Sequence, residues 1–220
     1  MRFVFAGGLH YDPSCRPACA QWLTTLTEAA SPEFVAVEWD GGIATRREPE
    51  RLDFVERWGR FRHGDPPNLV KRLSEVIGWE SDASLTKFPD VPTLYLDDGR
   101  VPAPSSKPLG LNRRIDFEFA LAPEPATRPV DEVLPRLHNY WVEDATRWLA
   151  KAQREGWDAA RDEKWAAALE TQATGHDGDW SLVIVGALHA SRCFPRTVRR
   201  LLETAGHSCE TKFLVWEPQC

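Results

Sequence analysis

Two histidines at opposite ends of the chain follow segments of the same kind. Phe3-Val4-Phe5-Ala6-Gly7-Gly8-Leu9-His10 and Leu182-Val183-Ile184-Val185-Gly186-Ala187-Leu188-His189 are short apolar runs that stop at Gly-x-x-His. An imidazole can ligate a metal or move a proton near neutral pH. A third candidate is Glu38, after Val35-Ala36-Val37. A carboxylate at the end of an apolar run is costly to bury unless it is paired, ligated or hydrogen-bonded. Each group alone also has a plain reading, since a His after a glycine turn is commonly structural and a strand-end carboxylate can point to solvent. Together, two imidazoles and a carboxylate suit a borderline divalent ion such as zinc, manganese, cobalt or iron, with positions left for water and substrate. The same groups can instead run metal-free acid–base chemistry, with one His oriented by Glu38. The spacing does not choose between the two. A fourth candidate, Arg161, lies in Ala160-Arg161-Asp162-Glu163-Lys164-Trp165-Ala166. On pattern alone this run is a solvated charged helix face. Turned inward, Arg161 would anchor a carboxylate or stabilise an oxyanion.

These residues need a scaffold that brings the two chain ends together. A buried parallel strand reads as a continuous apolar run, and a glycine at its end lets the backbone turn and another group come close. The pattern predicts strand 2–6, helix 16–30 and strand 34–38 as one β-α-β unit. Strand 182–186, helix 195–205 and a strand over 209–216 form a second. The expected architecture is an α/β fold with a mixed central sheet flanked by helices and a β-α-β unit pseudo-repeated at the N- and C-terminal ends. Strands 2–6, 34–38 and 182–186 are expected as neighbours in one sheet. In open α/β sheets function gathers at the carboxyl ends of strands, where both histidines fall. Between the units, a helix opening at Pro49 should bury Leu52, Val55, Trp58 and Phe61. A helix capped by Asn68 carries Leu69, Leu73, Val76 and Ile77. A long helix from Pro129 carries Val133, Leu137, Trp141, Ala145, Trp148 and Leu149, and another runs from Ala160 to Ala173. The proline-rich stretch 88–129, with strand-like runs at 93–96 and 115–119, reads as an irregular insertion or lid within a single domain 1–220.

The length of 220 residues fits one domain, and 42% hydrophobic and 27% charged residues are ordinary for a globular chain. A net charge of −6 argues against a nucleic-acid partner. No signal-peptide pattern opens the chain and no apolar run spans a bilayer, so the expected setting is the cytoplasm, without a membrane partner. Five cysteines, an odd number, favour reduced thiols. Cys15 and Cys193 lie just after the two histidines, as small loop residues rather than metal ligands. Ten tryptophans are spread along the chain, most of them expected in the core and a minority lining a pocket for an apolar ligand.

Three further segments complete an ordered set of motifs. Pro32-Glu33-Phe34-Val35-Ala36-Val37-Glu38 is like Pro-Asp-x-Val-x-x-Glu, with Glu33 in place of Asp. Arg161-Asp162-Glu163-Lys164-Trp165-Ala166 reads as Arg-Asn/Asp-x-x-Met-Ala with Trp165 in place of Met. Leu201-Leu202-Glu203-Thr204-Ala205-Gly206-His207 reads as Leu-Leu-x-x-x-Gly-His. With the paired Gly-x-x-His strands, these segments resemble the TraB/Tiki superfamily, which is related to the erythromycin esterases and to a haem-binding bacterial lipoprotein branch. The resemblance implies a divalent-metal-dependent hydrolase acting on an amide (peptide) or ester bond of a small-molecule or peptide substrate. His10, Glu38, Arg161 and His189 would surround its site. The resemblance moves Arg161 from the helix surface to that site. Two other functions share the fold: a haem or small-ligand binder using the histidines and tryptophans, and a regulatory module that has lost activity.

Overall fold

Five strands and seven helices make up a computed structural model that describes residues 1–26, 31–61, 64–98, 129–175 and 179–220. In chain order they are β1 (Arg2–Gly8), α1 (Cys15–Thr25), β2 (Val35–Val37), α2 (Ile43–Phe61), α3 (Pro67–Ser74), α4 (Trp79–Lys87) and β3 (Thr93–Tyr95). There follow α5 (Val130–Glu155), α6 (Ala160–Thr174), β4 (Trp180–Gly186), α7 (Val198–Thr204) and β5 (Ser208–Phe213). The strands form one sheet in the order β3-β2-β4-β1-β5.

The α/β architecture follows the sequence pattern, with one correction. Every pairing among the described strands is parallel, where a mixed sheet was expected. Each strand returns through a helix-containing crossover, and such connections align strands in parallel. β1 and β4 are buried along almost their whole length, as their unbroken apolar runs require, whereas the edge strand β5 alternates exposed and half-buried residues.

The two β-α-β units interlock. The crossover from β1 to β2 passes β4, and the crossover from β4 to β5 passes β1. They run in opposite directions, so crossovers of one hand put their helices on opposite faces. The packing agrees. Cys15, Cys19 and Leu23 of α1, with Trp79 of α4, cover Val4, Ala6, Leu182 and Ile184. Trp165 and Leu169 of α6, with Val198 and Leu202 of α7, cover Phe3, Phe5, Val183 and Val185 on the other face. The strand order therefore reverses between β1 and β4, and a crevice opens at such a point.

A third apolar cluster joins α2, α3 and α5 through Phe54, Trp58, Leu73, Leu137 and Trp141, with Leu9 and Tyr11 from the loop after β1 packed against it. This helical layer thus meets the sheet at the His10 loop. Several boundaries depart from the pattern. Helix α2 begins at Ile43 and carries Pro49 inside it. Asp40 accepts the Gly42 N–H at the start of α2. Its buried side is Ile43, Phe54 and Trp58, and Leu52 and Val55 are exposed. Residues 93–95, assigned to the insertion, belong to the sheet because β2 offers them an open parallel edge. The run 115–119, most of the expected lid and the end of the 16–30 helix lie outside the described residues. Trp148, expected in the apolar stripe of α5, is 57% exposed. Cys193 and Cys220 form a disulfide, against the expectation of reduced thiols, while Cys15, Cys19 and Cys209 are free. No helix among the described residues is long and apolar enough to cross a membrane.

Candidate functional site

The register sets Gly8 opposite Gly186 at the carboxyl ends of the two central strands. A Cβ on Gly186 would come within 2.9 Å of His10 Nε2, so the glycine of one motif makes room for the histidine of the other. A Cβ on Gly8 would meet the Trp79 ring at 2.8 Å. Trp79 is buried, and its neighbour Glu80 reaches the site.

Glu38, just beyond β2, is the hub. Its Oε2 lies 3.1 Å from His10 Nε2 and accepts the Gly186 N–H at 2.7 Å. Its Oε1 pairs with Arg161 Nη1 at 2.8 Å and lies 4.0 Å from His189 Nε2. The structure therefore brings together all four residues singled out from the sequence. Arg161 also donates to Asp97 and lies over the Trp165 ring at 4.3 Å, and Trp165 Nε1 donates to the same carboxylate. At the start of α6 the alanine that packs inward is Ala159, at the N-cap; Ala160, expected there, is exposed.

Each histidine has a second carboxylate behind it. His10 Nδ1 is 2.7 Å from Glu80 Oε1, and Glu80 Oε2 accepts from Trp39 Nε1. His189 Nδ1 is 3.0 Å from Asp162, which also accepts the Val198 N–H and the Trp157 Nε1–H. Glu80 and Asp162 are both fully buried. A carboxylate behind the outer nitrogen of a ligating histidine fixes the ring and raises its basicity. Asp12 and His138 make a further pair at 2.6 Å.

The charges are strongly coupled. Burial, the largest influence on His10, lowers its pKa, but Glu38 and Glu80 outweigh it and push the imidazole up to about 10. Burial likewise opposes the ionised form of Glu38, yet His10, His189 and Arg161 hold its pKa well below the ordinary carboxylate range. For Arg161, burial is again overcome, by Glu38 and Asp97, and its pKa is raised. The cysteines near His10 are not thiolate donors. Burial pushes Cys19 up to about 12 and Cys15 upward too, and Cys15 Sγ accepts the Leu9 N–H.

Comparison with known protein families, curated proteins and solved structures gave no match.

The donor set can be tested for a divalent ion on its own geometry. Ligands bound to one ion at about 2.0–2.2 Å stand about 2.8–3.6 Å apart. His10 Nε2 is 3.1 Å from Glu38 and His189 Nε2 is 4.0 Å from it, with both outer nitrogens braced by carboxylates. Among the described residues no three donors already stand in finished ligand geometry. The donor types and the second carboxylates are those such an ion takes, but Glu38 is engaged by His10, Gly186 and Arg161, so the three donors would have to rearrange to hold one.

A cleft of about 220 Å³ opens onto the two Gly-x-x-His turns. Its wall is mostly apolar and aromatic, with Leu9, Tyr11, Trp141, Trp148, Trp157 and Trp216, and Asp144 is the one acid among the described residues on it. The minority of tryptophans expected at a pocket is thereby found. His207, part of the resemblance, instead packs edge-on against Phe3 near the amino end of β1. Sequence reasoning missed Glu80, Asp97 and Asp162 as partners. Glu80 and Asp162 sit in helical segments with other charged residues, and Asp97 follows an edge strand, so nothing in the pattern separates them from solvated acids.

Proposed function

We propose that this chain is a hydrolase of an amide or ester bond, of TraB/Tiki type, in which His10, Glu38 and His189 hold a divalent ion (manganese, cobalt, zinc or iron). The observation that supports the reading best is the matched pair of buried carboxylate–histidine contacts, Glu80–His10 and Asp162–His189, whose Nε2 atoms both turn toward Glu38 where the strand order reverses. When bound, such an ion supplies Lewis acidity and water activated near neutral pH. The chain's own residues do the rest. Glu80 and Asp162 hold the Nδ1 protons and so leave Nε2 as the donor on each ring. Asp97 and Glu38 aim Arg161, which lines the neighbouring cleft, at negative charge developing on the substrate carbonyl oxygen. The aromatic wall excludes water from the acyl group. The substrate in this reading is a small molecule or peptide, without a nucleic-acid or membrane partner. A cytoplasmic setting requires that Cys193–Cys220 be open or transient there, since structural disulfides persist in oxidising compartments.

The test is elemental analysis of protein purified without added metal, followed by calorimetric titration with Mn²⁺, Co²⁺ and Zn²⁺ and a screen of aryl esters and anilides. One ion per chain is expected, with uptake lost in His189→Ala and hydrolysis abolished by chelation and restored by the ion. Uptake that is absent, or indifferent to His10→Ala and His189→Ala together, would sink the reading. A Soret band in the purified protein would replace it with haem binding.

A further inference from the structure

His189 stands where two clefts meet. The apolar one runs from it toward Trp141 and Trp216. A second, of about 380 Å³, runs the other way past Lys151, Glu155, Asp158 and Arg161. Both are walled by Trp148, Trp157 and Leu188. The two arms differ in chemistry. The charged groups of the second arm are not equally available. Arg161 is already paired with Glu38 and Asp97. Asp158 accepts the Ala160 N–H, and Glu155 lies against Arg154. Lys151 is the least committed: its nearest carboxylate, Glu155, is 3.8 Å away, and its ammonium stands 5.1 Å from the exposed Trp148 ring. An ammonium so placed is ready for a carboxylate, and Trp148 offers a ring face to either arm.

We infer that the substrate has two unlike ends: a small apolar acyl group, one aromatic ring or a short branched chain, joined through an amide or ester to a carboxylate-bearing amino acid or hydroxy acid. The acyl group lies in the apolar arm, whose volume falls below the range usual for drug-sized ligands and suits one ring. The carboxylate lies in the polar arm against Lys151, which sets the scissile carbonyl beside His189. Hydrolysis then breaks the acyl C–N or C–O bond. Water gives its hydroxyl to the acyl carbon and its proton to the leaving nitrogen or oxygen, and the products are a carboxylic acid and an amino or hydroxy acid. This inference rests on the hydrolase reading for its chemistry but not for its binding.

The probes are N-benzoylglycine, N-acetylglycine and benzamide, titrated by calorimetry and assayed with Mn²⁺ for release of the amine. N-Benzoylglycine should bind at least tenfold tighter than either of the others. Trp148→Ala should cut its affinity about tenfold. Lys151→Ala should erase the preference over benzamide, and Lys151→Arg should keep it. Both side chains are exposed, so the variants test recognition and not folding. Equal binding of all three probes, undetectable binding of N-benzoylglycine, or indifference to both variants overturns the inference. Selective binding without turnover leaves it standing and removes the hydrolase reading. Hydrolysis of the acetyl and benzoyl compounds at equal rates does the reverse.

Discussion

At the end of β1, His10 is gripped on both ring nitrogens by buried carboxylates, Glu38 and Glu80. At the end of β4, His189 is gripped on one, by Asp162, and is otherwise flanked by the Trp157 and Trp165 rings, with its Nε2 4.0 Å from Glu38. The motifs match in sequence, yet their surroundings divide the work. The β1 end is a closed polar lattice, fixed from α4 and β2. The β4 end keeps one nitrogen uncommitted and faces both clefts. A repeated motif can therefore supply one rigid and one adaptable half of a site.

The sharpest way to break that contrast is to remove the two bracing acids separately. Asp162 serves a histidine, a tryptophan N–H and a backbone N–H, all in the interior. Asp162→Ala should cost about 3–5 kcal/mol in urea unfolding, since it strands buried donors. Glu80→Ala should cost less, about 1.5–3 kcal/mol, because His10 keeps Glu38. Equal losses would mean that the two ends are held alike.

Arg161 links the halves. Arg161→Lys keeps the charge and loses the planar fork that spans Glu38 and Asp97. Turnover on the substrate found should fall about a hundredfold while the melt moves far less than for Asp162→Ala. Unchanged turnover would return Arg161 to a purely structural part.

The glycines separate rigidity from adaptability more finely. Gly8→Ala drives a methyl into the immovable Trp79 ring and should cost about 1–3 kcal/mol of stability. Gly186→Ala pushes on the tip of His10 instead. Its melt should change less, and divalent-ion affinity should fall about ten- to hundredfold. Thermal melts and calorimetry on the pair decide it, and an unchanged ion affinity in Gly186→Ala would separate His10 from the ion.

The smallest effect concerns the β4–α7–β5 unit alone. Burial raises the Glu203 pKa, but Arg192 and Arg199 outweigh it and hold it below the ordinary value. A carboxylate depressed in the folded state adds stability above its unfolded pKa, and the gain is lost as pH falls through the folded value. Glu203→Gln should therefore destabilise by up to about 1 kcal/mol at pH 7, and the difference from wild type should vanish in acid. A difference that grows toward low pH would refute the sign.

Sequence and structure agree where one residue type had one physical use. No ambiguity arises in β1 and β4, because a run such as Leu182-Val183-Ile184-Val185 buried on both faces can be little else than a central strand. His10, Glu38 and His189 were visible because strand ends place them. The braces were not. Asp162 lies inside Arg161-Asp162-Glu163-Lys164, which reads as a wetted face although Asp162 is wholly buried. Whether a helical acid turns inward depends on which donors a distant segment presents, here the Val198 N–H and the His189 ring. The Cys193–Cys220 link was hidden for the same reason, since it depends on a contact made through space.

The place of β1 in the sheet has a consequence for how the molecule is made. Both of its neighbours, β4 and β5, come from the last stretch of the chain. During synthesis β1 has neither of these partners until residues 180–213 follow it out. Parallel pairing between distant segments forms slowly and leaves apolar edges open to misassociation in the meantime. The nascent chain thus carries β1 as an unshielded guest, and a product cut short before β4 would lack both His189 and the two strands that β1 pairs with.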